Sequence, residues 1–219
     1  MAIIIRNNKG ETPNIALDIE TLSTQPTAAI ISIAARTFSF HESPESQLCC
    51  DAVAEKFHCF VSASSCAMEG MHFDMQTVRF WQQQSEEAKA PFCQLSGQEI
   101  PIMSALDRLS RFIDRVRETA PEQNIHLWCQ GTDFDIPILK NAYHTVLGCP
   151  TPWQHQELRD SRTFIHTILG TLRPDIDNPY SLIPENPKWK PHDALSDVNQ
   201  LIWNVTHVHR LLVSQHSPS

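Results

Sequence analysis

Short apolar runs along the chain predict five strands. Three of them come first: "NIALDIE" (14–20), "AAIISIAARTFSF" (28–40) and "KFHCFVS" (56–62). Their Ile and Phe content favours extended structure, and the first two are predicted to form a hairpin. "NIHLWC" (124–129) predicts a fourth strand, and the segment 156–169 predicts a short fifth strand that runs into a helix. The pattern therefore predicts one central sheet.

Apolar residues at helical spacing predict the helices that cover this sheet. Asp74 is a plausible N-cap for the first of them, and Gly148 is expected to stop the third. The predicted ranges are 74–90, 100–118, 135–147 and 194–213. Three strands followed by alternating helices and strands indicate a mixed α/β sandwich.

Two segments are predicted to be irregular. Residues 41–55 are polar and contain no clear periodicity, and residues 173–191 hold five of the 15 prolines. The tail "SQHSPS" is expected to fray. A chain of 219 residues fits a single domain, with a core over about 12–213.

Charge and cysteine content narrow the function classes. The net charge of -8 gives no overall basic surface for nucleic acid, which counts against a simple binding module but less against an enzyme whose acids hold metal ions. Seven cysteines without a CxxC pair suggest reduced thiols and a cytoplasmic location. The apolar start is too short for a signal peptide, and Arg36 interrupts the longest apolar run, so no membrane span is expected.

The first strand ends in two carboxylates on one face. Residues i and i+2 of a strand point the same way, so Asp18 and Glu20 project together. Two adjacent carboxylates repel each other unless a cation bridges them or one of them binds a proton. Ligation by oxygen alone suits Mg²⁺ or Mn²⁺. The alternative is a strand end at which two acids simply meet solvent.

Two later stretches add candidate residues. "WCQGTDFDIPIL" places Asp135 after a strand and at the start of a helix, where Asp133 competes for the same role. "KPHDALSDVNQLIW" places His192 in a loop and Asp197 inside the last helix, about 1.4 turns later. The alternatives are an ordinary helix N-terminus served by Asp193 or Asp197, and a surface histidine.

These motifs occur in a recognisable order. An Asp-x-Glu at a strand end, an Asp after Phe at a helix start and a His-x4-Asp at a C-terminal helix together resemble the DEDDh group of 3′–5′ exonucleases. The matching positions are Asp18, Glu20, Asp135, His192 and Asp197.

The resemblance extends between the motifs. "FDMQTVRFWQQQSEEA" (73–88) and "LRDSRTF" (158–164) are similar to the family of phage exodeoxyribonuclease A and the related bacterial 3′–5′ exoribonuclease-like proteins. The likeness covers residues 14 to about 210. It implies an RNase H-like fold, with a central mixed five-stranded sheet flanked by helices, and a protein that self-associates.

The resemblance also implies a two-metal hydrolysis of phosphodiester bonds. Asp18 would bridge two Mg²⁺ or Mn²⁺ ions, Glu20 and Asp197 would complete the site of the ion that activates water, and Asp135 would serve the second ion. His192 would accept the proton of the attacking water. Nucleoside 5′-monophosphates would leave from the 3′ end of single-stranded DNA or RNA.

Residues after the Asp-x-Glu motif line the terminal-nucleotide pocket in this group. A backbone amide near Thr21 would then bind the 3′-hydroxyl, and Leu22 would pack on the base unless it belongs to the core. Phe73 and Trp81 are candidates for base stacking, although a Trp on an amphipathic helix is more often a core residue.

The "LRDSRTF" segment has a structural and a functional interpretation. Asp160 is predicted to be a helix N-cap, with Arg159 and Arg162 as its ion-pair partners. Arg162 is also within possible reach of a phosphate.

Two other functions fit the same fold. One is a catalytically silent nucleic-acid-binding or assembly domain, and the other is an RNase H-like endonuclease. The presence of all five DEDDh positions favours the exonuclease over the first, and the His-x4-Asp motif favours it over the second.

Overall fold

A five-stranded mixed sheet forms the centre of the protein. The computed structural model describes residues 11–49, 54–86, 89, 97–120, 122 and 124–216. The strands follow each other across the sheet in the order β3-β2-β1-β4-β5. Their bounds are β1 Asn14–Thr21, β2 Ile30–Phe38, β3 Lys56–Phe60, β4 His126–Cys129 and β5 Leu158–Asp160. The predicted mixed five-stranded sheet is therefore confirmed.

The strand directions bring three strand ends to one edge. β1 pairs antiparallel with β2, and β2 pairs antiparallel with β3. β4 runs parallel to β1, with Ala16 opposite Trp128, and β5 runs parallel to β4, with Cys129 opposite Asp160. The carboxyl ends of β1, β4 and β5 therefore lie at the same edge, which is where open α/β sheets bind their ligands.

Seven helices surround this sheet in the described residues. They are α1 Pro44–Cys49, α2 Ala63–Met68, α3 Met75–Gln82, α4 Ile102–Glu118, α5 Asp135–Ala142, α6 Ser161–Leu172 and α7 Ala194–His216. α5 widens into a π-helical turn over Tyr143–Leu147 and ends at Gly148, which has the left-handed φ of 63° that a helix stop requires.

The two faces of β1 belong to two hydrophobic clusters. Ile15, Leu17 and Ile19 pack in the cluster that contains α4 and α5. Ala16 packs in the other cluster, together with α6 and α7. Since side chains alternate along a strand, Asp18 shares the face of Ala16 and points to the side of α7.

Some predicted elements differ from the observed ones. The segment 41–55 is not a loop throughout, because α1 forms within it and packs against α7. Its Gln47 is buried, and the Gln47 carbonyl accepts a hydrogen bond from Arg36 of β2. These contacts are tertiary, so a polar sequence without periodicity could not reveal them. α2 was also not predicted. α3 ends at Gln82, and residues 87, 88 and 90 of the predicted helix 74–90 lie outside the described residues.

Other expectations agree with the structure. Asp74 caps α3 by accepting a hydrogen bond from the backbone N–H of Gln76. Residues 173–191 are irregular apart from a 3-10 turn at Pro179–Leu182. α7 continues to His216, and the rest of the predicted frayed tail, residues 217–219, lies outside the described residues. That one domain spans the chain stays a prediction.

None of the helices in the described residues is long and apolar enough to cross a membrane.

A nearly buried ion pair connects α4 to the residues that precede β4 and β5. The Glu157 carboxylate is almost inaccessible and accepts hydrogen bonds from both terminal nitrogens of Arg117. It also accepts the backbone N–H groups of Ile125 (3.2 Å) and Gln154 (2.8 Å). Burial alone would raise the pKa of Glu157, but these donors outweigh it and lower the pKa below its ordinary 4.5.

We expect Glu157→Gln to lower the free energy of unfolding by about 3 kcal/mol, because Arg117 would keep a buried charge without its partner. The contribution of Glu157 is complete above its ordinary pKa and disappears as the pH falls through the lowered pKa of the folded state. The difference between wild type and variant should therefore shrink on acidification. Urea titrations at several pH values measure it.

The matched control is Asp107→Asn, which removes the exposed Arg111–Asp107 pair on the same helix. It should change the free energy of unfolding by about 0.5 kcal/mol or less. Equal effects of the two substitutions would contradict the assigned role of Glu157.

Candidate functional site

Three carboxylates meet at the carboxyl end of β1. Asp18 and Glu20 lie opposite Ala34 and Ser32 of β2, whose small side chains leave the face open. Asp197 approaches from the first turn of α7. One oxygen of each of the three carboxylates lies within 4.8 Å of the others. The alternation of β1 and the position of α7 against it bring these side chains together.

Burial and the charges of neighbouring acids raise the pKa values of this cluster. Burial is the main cause that raises the pKa of Asp18 well above its ordinary value, and the charges of Asp135, Glu20 and Asp197 raise it further. Burial likewise raises the pKa of Glu20 to about 8. No Lys or Arg of the described residues forms an ion pair with any of these acids. Within the described residues, no basic side chain therefore compensates the negative charge of these acids.

Asp135 joins the cluster from a third element. It is the first residue of α5 and is only 4% exposed. Burial raises the pKa of Asp135 to about 8, although its carboxylate accepts a hydrogen bond from the backbone N–H of Ile19. Asp135 thus lies near the backbone of β1 between Asp18 and Glu20. Asp135 lies outside the group of three, but it is close enough for its charge to act strongly on Asp18.

The loop before α7 holds both oxygens of Asp197. The indole Nε1–H of Trp189 donates to Oδ1 at 2.7 Å, and the backbone N–H of His192 donates to Oδ2 at 3.0 Å. His192 has a φ of 63°, a left-handed conformation in which His is tolerated better than most residues. This conformation turns the loop so that its backbone faces Asp197.

The ring of His192 lies against α3. It meets Phe80 edge to face with the centroids 5.0 Å apart, and Trp81 at 6.3 Å. Trp81 is buried and donates its indole N–H to the carbonyl oxygen of Thr21, 2.8 Å away. α3 therefore connects the end of β1 with the histidine loop.

All five predicted catalytic residues line one cleft of about 960 Å³. The cleft runs along the sheet edge between the residues after β4 and the loop before α7. The other lining residues are Ile19, Gln130, Asp133, Phe134, Arg162, Tyr180, Ile183, Pro184, Glu185, Asn186, Trp189, Pro191, Gln200 and Asn204.

The predicted substrate-binding residues lie elsewhere. Thr21 is buried, and its hydroxyl donates to the carbonyl of Ser23 at 2.7 Å. Leu22 is 1% exposed and belongs to the core, whereas Phe73 is 36% exposed. None of the three lines the cleft. Their contacts with a nucleotide stay predictions. Trp81 is a buried core residue, as predicted for a Trp on an amphipathic helix.

The "LRDSRTF" segment agrees with prediction in part. Asp160 caps α6 by accepting the backbone N–H of Thr163 at 2.7 Å. The expected ion pairs are wrong: neither Arg159 nor Arg162 forms one with Asp160 in the described part of the chain. The second Asp160 oxygen instead accepts the backbone N–H of Thr132.

Sequence reasoning missed Trp189. It lies in the proline-rich loop 173–191, where no periodic pattern gives a residue a direction. The only available signal was that Trp189 comes three residues before His192 in "WKPH".

The fold is similar to that of a solved exonuclease. Exonuclease I of E. coli in complex with a dT13 oligonucleotide superposes with a TM-score of 0.55 and is 18% identical, over 93% of this chain and 43% of that one. The zinc-bound form of the E. coli ExoI–ssDNA complex gives a TM-score of 0.56 and 16% identity, over 94% and 41%. The chain thus spans less than half of these proteins, and the likeness confirms the predicted RNase H-like fold.

The sequence itself matches a family over most of its length. No curated protein matches the chain. Residues 13–209, which include every catalytic position predicted above, match the family described as the 3′–5′ exoribonuclease Rv2179c-like domain. The chain belongs to the 3′–5′ exoribonuclease Rv2179c-like domain family.

Proposed function

We propose that this protein is a DEDDh 3′–5′ exonuclease that depends on two divalent cations and shortens single-stranded nucleic acid. The observation that carries the proposal is the group of Asp18, Glu20 and Asp197, whose oxygens lie within 4.8 Å of one another without a basic partner among the described residues. Structural acids are normally paired or solvated, whereas metal-binding acids converge.

The donor set fits hard divalent cations. Asp18, Glu20, Asp197 and Asp135 offer oxygen only, which suits Mg²⁺ or Mn²⁺. Bound cations would supply charge that offsets the carboxylates, and they would lower the pKa of a coordinated water molecule. The hydrogen bonds from Trp189 and His192 to Asp197 keep this carboxylate turned toward Asp18 and Glu20.

His192 is proposed as the proton acceptor. Its backbone is fixed by the bond to Asp197, and its ring stands against Phe80 at the cleft. An imidazole in this place can take a proton from the attacking water, because one ring nitrogen of a neutral imidazole is a proton acceptor.

The substrate class is proposed from the cleft and the relatives. The matched family is described as an exoribonuclease, and the exonuclease I structures hold the oligonucleotides dT13 and dA16. We therefore propose a single-stranded 3′ end as the substrate, with DNA and RNA to be compared directly. The products would be nucleoside 5′-monophosphates.

Asp18→Asn tests the exonuclease directly. With Mg²⁺ or Mn²⁺, wild type should shorten 5′-labelled single-stranded DNA or RNA stepwise from the 3′ end, and EDTA should stop it. The variant should lose at least about 10³-fold in rate, since the cations would lose a shared ligand. Asp133→Asn, in the same cleft but outside the carboxylate group, is the matched control and should stay within a few-fold.

Internal fragments instead of a ladder would identify an endonuclease. A folded, cation-binding wild type that cleaves neither labelled strand would support the silent domain.

The cation itself can be detected without catalysis. Mn²⁺ should raise the melting temperature of wild type, because it binds only the folded carboxylate group. Asp18→Asn should melt higher than wild type in EDTA, because one repelling charge is gone, and should gain much less from Mn²⁺. If millimolar Mn²⁺ left the melting temperature of wild type unchanged, the result would contradict the metal site.

His192→Asn separates proton transfer from folding. Asn tolerates a left-handed φ, so the backbone bond to Asp197 should survive. The rate should fall about 10²- to 10⁴-fold, while the Mn²⁺-induced rise in melting temperature remains. If the variant keeps nearly full activity, His192 is not the proton acceptor.

A further inference from the structure

Arg162 is the one Arg or Lys among the described residues that line the cleft. Six carboxylates line the same cleft: Asp18, Glu20, Asp133, Asp135, Glu185 and Asp197. Four of them are the proposed cation ligands, so cations would compensate their charge. The phosphates of a bound strand need further positive charge or hydrogen-bond donors. Among the side chains that line the cleft in the described residues, the Arg162 guanidinium offers both.

The guanidinium of Arg162 keeps most of its donors unused. Its single hydrogen bond goes to the carbonyl of Gln130 and is long, at 3.5 Å. Asp160, the acid nearest in sequence, has its two oxygens engaged by the backbone N–H groups of Thr163 and Thr132. No carboxylate in the described part of the chain forms an ion pair with Arg162. A guanidinium has five N–H donors, which match the oxygens of a phosphate.

The position of this guanidinium depends on Gly131. A Cβ at Gly131 would lie 3.0 Å from Oδ1 of Asp133, 3.3 Å from a terminal nitrogen of Arg162 and 3.4 Å from the central carbon of its guanidinium. Gly131 also has a φ of 94°, which side chains rarely adopt. The missing side chain therefore leaves space beside the end of β4 that the Asp133 carboxylate and the Arg162 guanidinium both border.

The sheet places Arg162 away from the carboxylate group. Arg162 follows β5, and β5 lies two strands from β1 in the parallel part of the sheet. Two strand spacings amount to about 10 Å. The scissile phosphate belongs with the carboxylates at the end of β1, so the guanidinium is better placed for a neighbouring phosphate.

We propose that Arg162 forms a subsite for the phosphate of the penultimate linkage of the substrate strand. This inference rests on the proposed function. In a 3′–5′ exonuclease the scissile linkage is the last one, so the only neighbouring phosphate lies on its 5′ side. The subsite would favour strands of at least three nucleotides over a single nucleotide ester.

The test combines a substituted enzyme with a substituted substrate. The enzymes are wild type, Arg162→Met and Arg159→Met. The last is the matched control, since Arg159 is tied to the carbonyls of Gln156 and Leu158 and does not line the cleft. The substrates are a 5′-labelled hexanucleotide, the same strand with a neutral methylphosphonate at the penultimate linkage, and the p-nitrophenyl ester of thymidine 5′-monophosphate. Release of the 3′-terminal nucleotide or of p-nitrophenol is measured as kcat/KM.

The expected result is a loss that is not additive. Loss of a charge-assisted contact should lower kcat/KM on the natural strand about 10- to 100-fold in Arg162→Met. Wild type should lose a similar factor on the methylphosphonate strand, and Arg162→Met should lose almost nothing more on it. The ratio of kcat/KM for the natural strand to that for the nucleotide ester should fall only in Arg162→Met, while Arg159→Met behaves as wild type.

Three results would overturn the subsite. They are additive losses from the two changes, an equal loss on the strand and on the nucleotide ester, and no loss at all in Arg162→Met. If wild type hydrolyses none of the three substrates, the proposed function fails. Fluorescence anisotropy with the two strands then still decides the subsite: Arg162→Met must bind the natural strand more weakly and must not distinguish it from the methylphosphonate strand.

Discussion

Repulsion among carboxylates at the end of β1 is the constraint on which the site depends. Asp18, Glu20 and Asp197 converge in a half-buried place, where burial raises the pKa of each acid and neighbouring carboxylates raise it further. Burial without a partner is among the most costly arrangements for charged groups. A cation ligand set explains why these side chains point toward one another when each could instead turn to solvent.

The sheet topology makes this convergence possible. Parallel pairing of β1, β4 and β5 brings the residues that follow each strand to one edge. β1 supplies Asp18 and Glu20, and the turn after β4 leads to Asp135. Arg162 is the second residue of α6, the helix that follows β5. The charge of Asp135 acts on Asp18, so the first two contributions lie close together. Asp18, Glu20, Asp135 and Arg162 share a cleft because these strands run in the same direction.

The loop before α7 completes the site from the other side. Trp189 and the backbone of His192 each hold one oxygen of Asp197, so a single carboxylate connects the loop to the sheet. This turn requires His192 to adopt a left-handed backbone conformation, which is unfavourable for a residue with a side chain. The ring of Phe80 in α3 packs against the imidazole of His192. A helix distant in sequence therefore contacts a residue that lines the cleft.

The sequence by itself determined the elements whose patterns are local. Alternation along β1 placed Asp18 and Glu20 on one face, capping identified the starts of the helices at Asp74 and Asp160, and the five motif positions all line one cleft. Tertiary structure alone decided the formation of α1, the burial of Leu22, the hydrogen bond from Trp189 to Asp197 and the place of Arg162. The packing of α1, Leu22 and Arg162 depends on residues far apart in the chain, whereas periodicity and spacing report only on near neighbours. The Trp189–Asp197 bond depends on the path of an irregular loop, for which no periodic pattern exists.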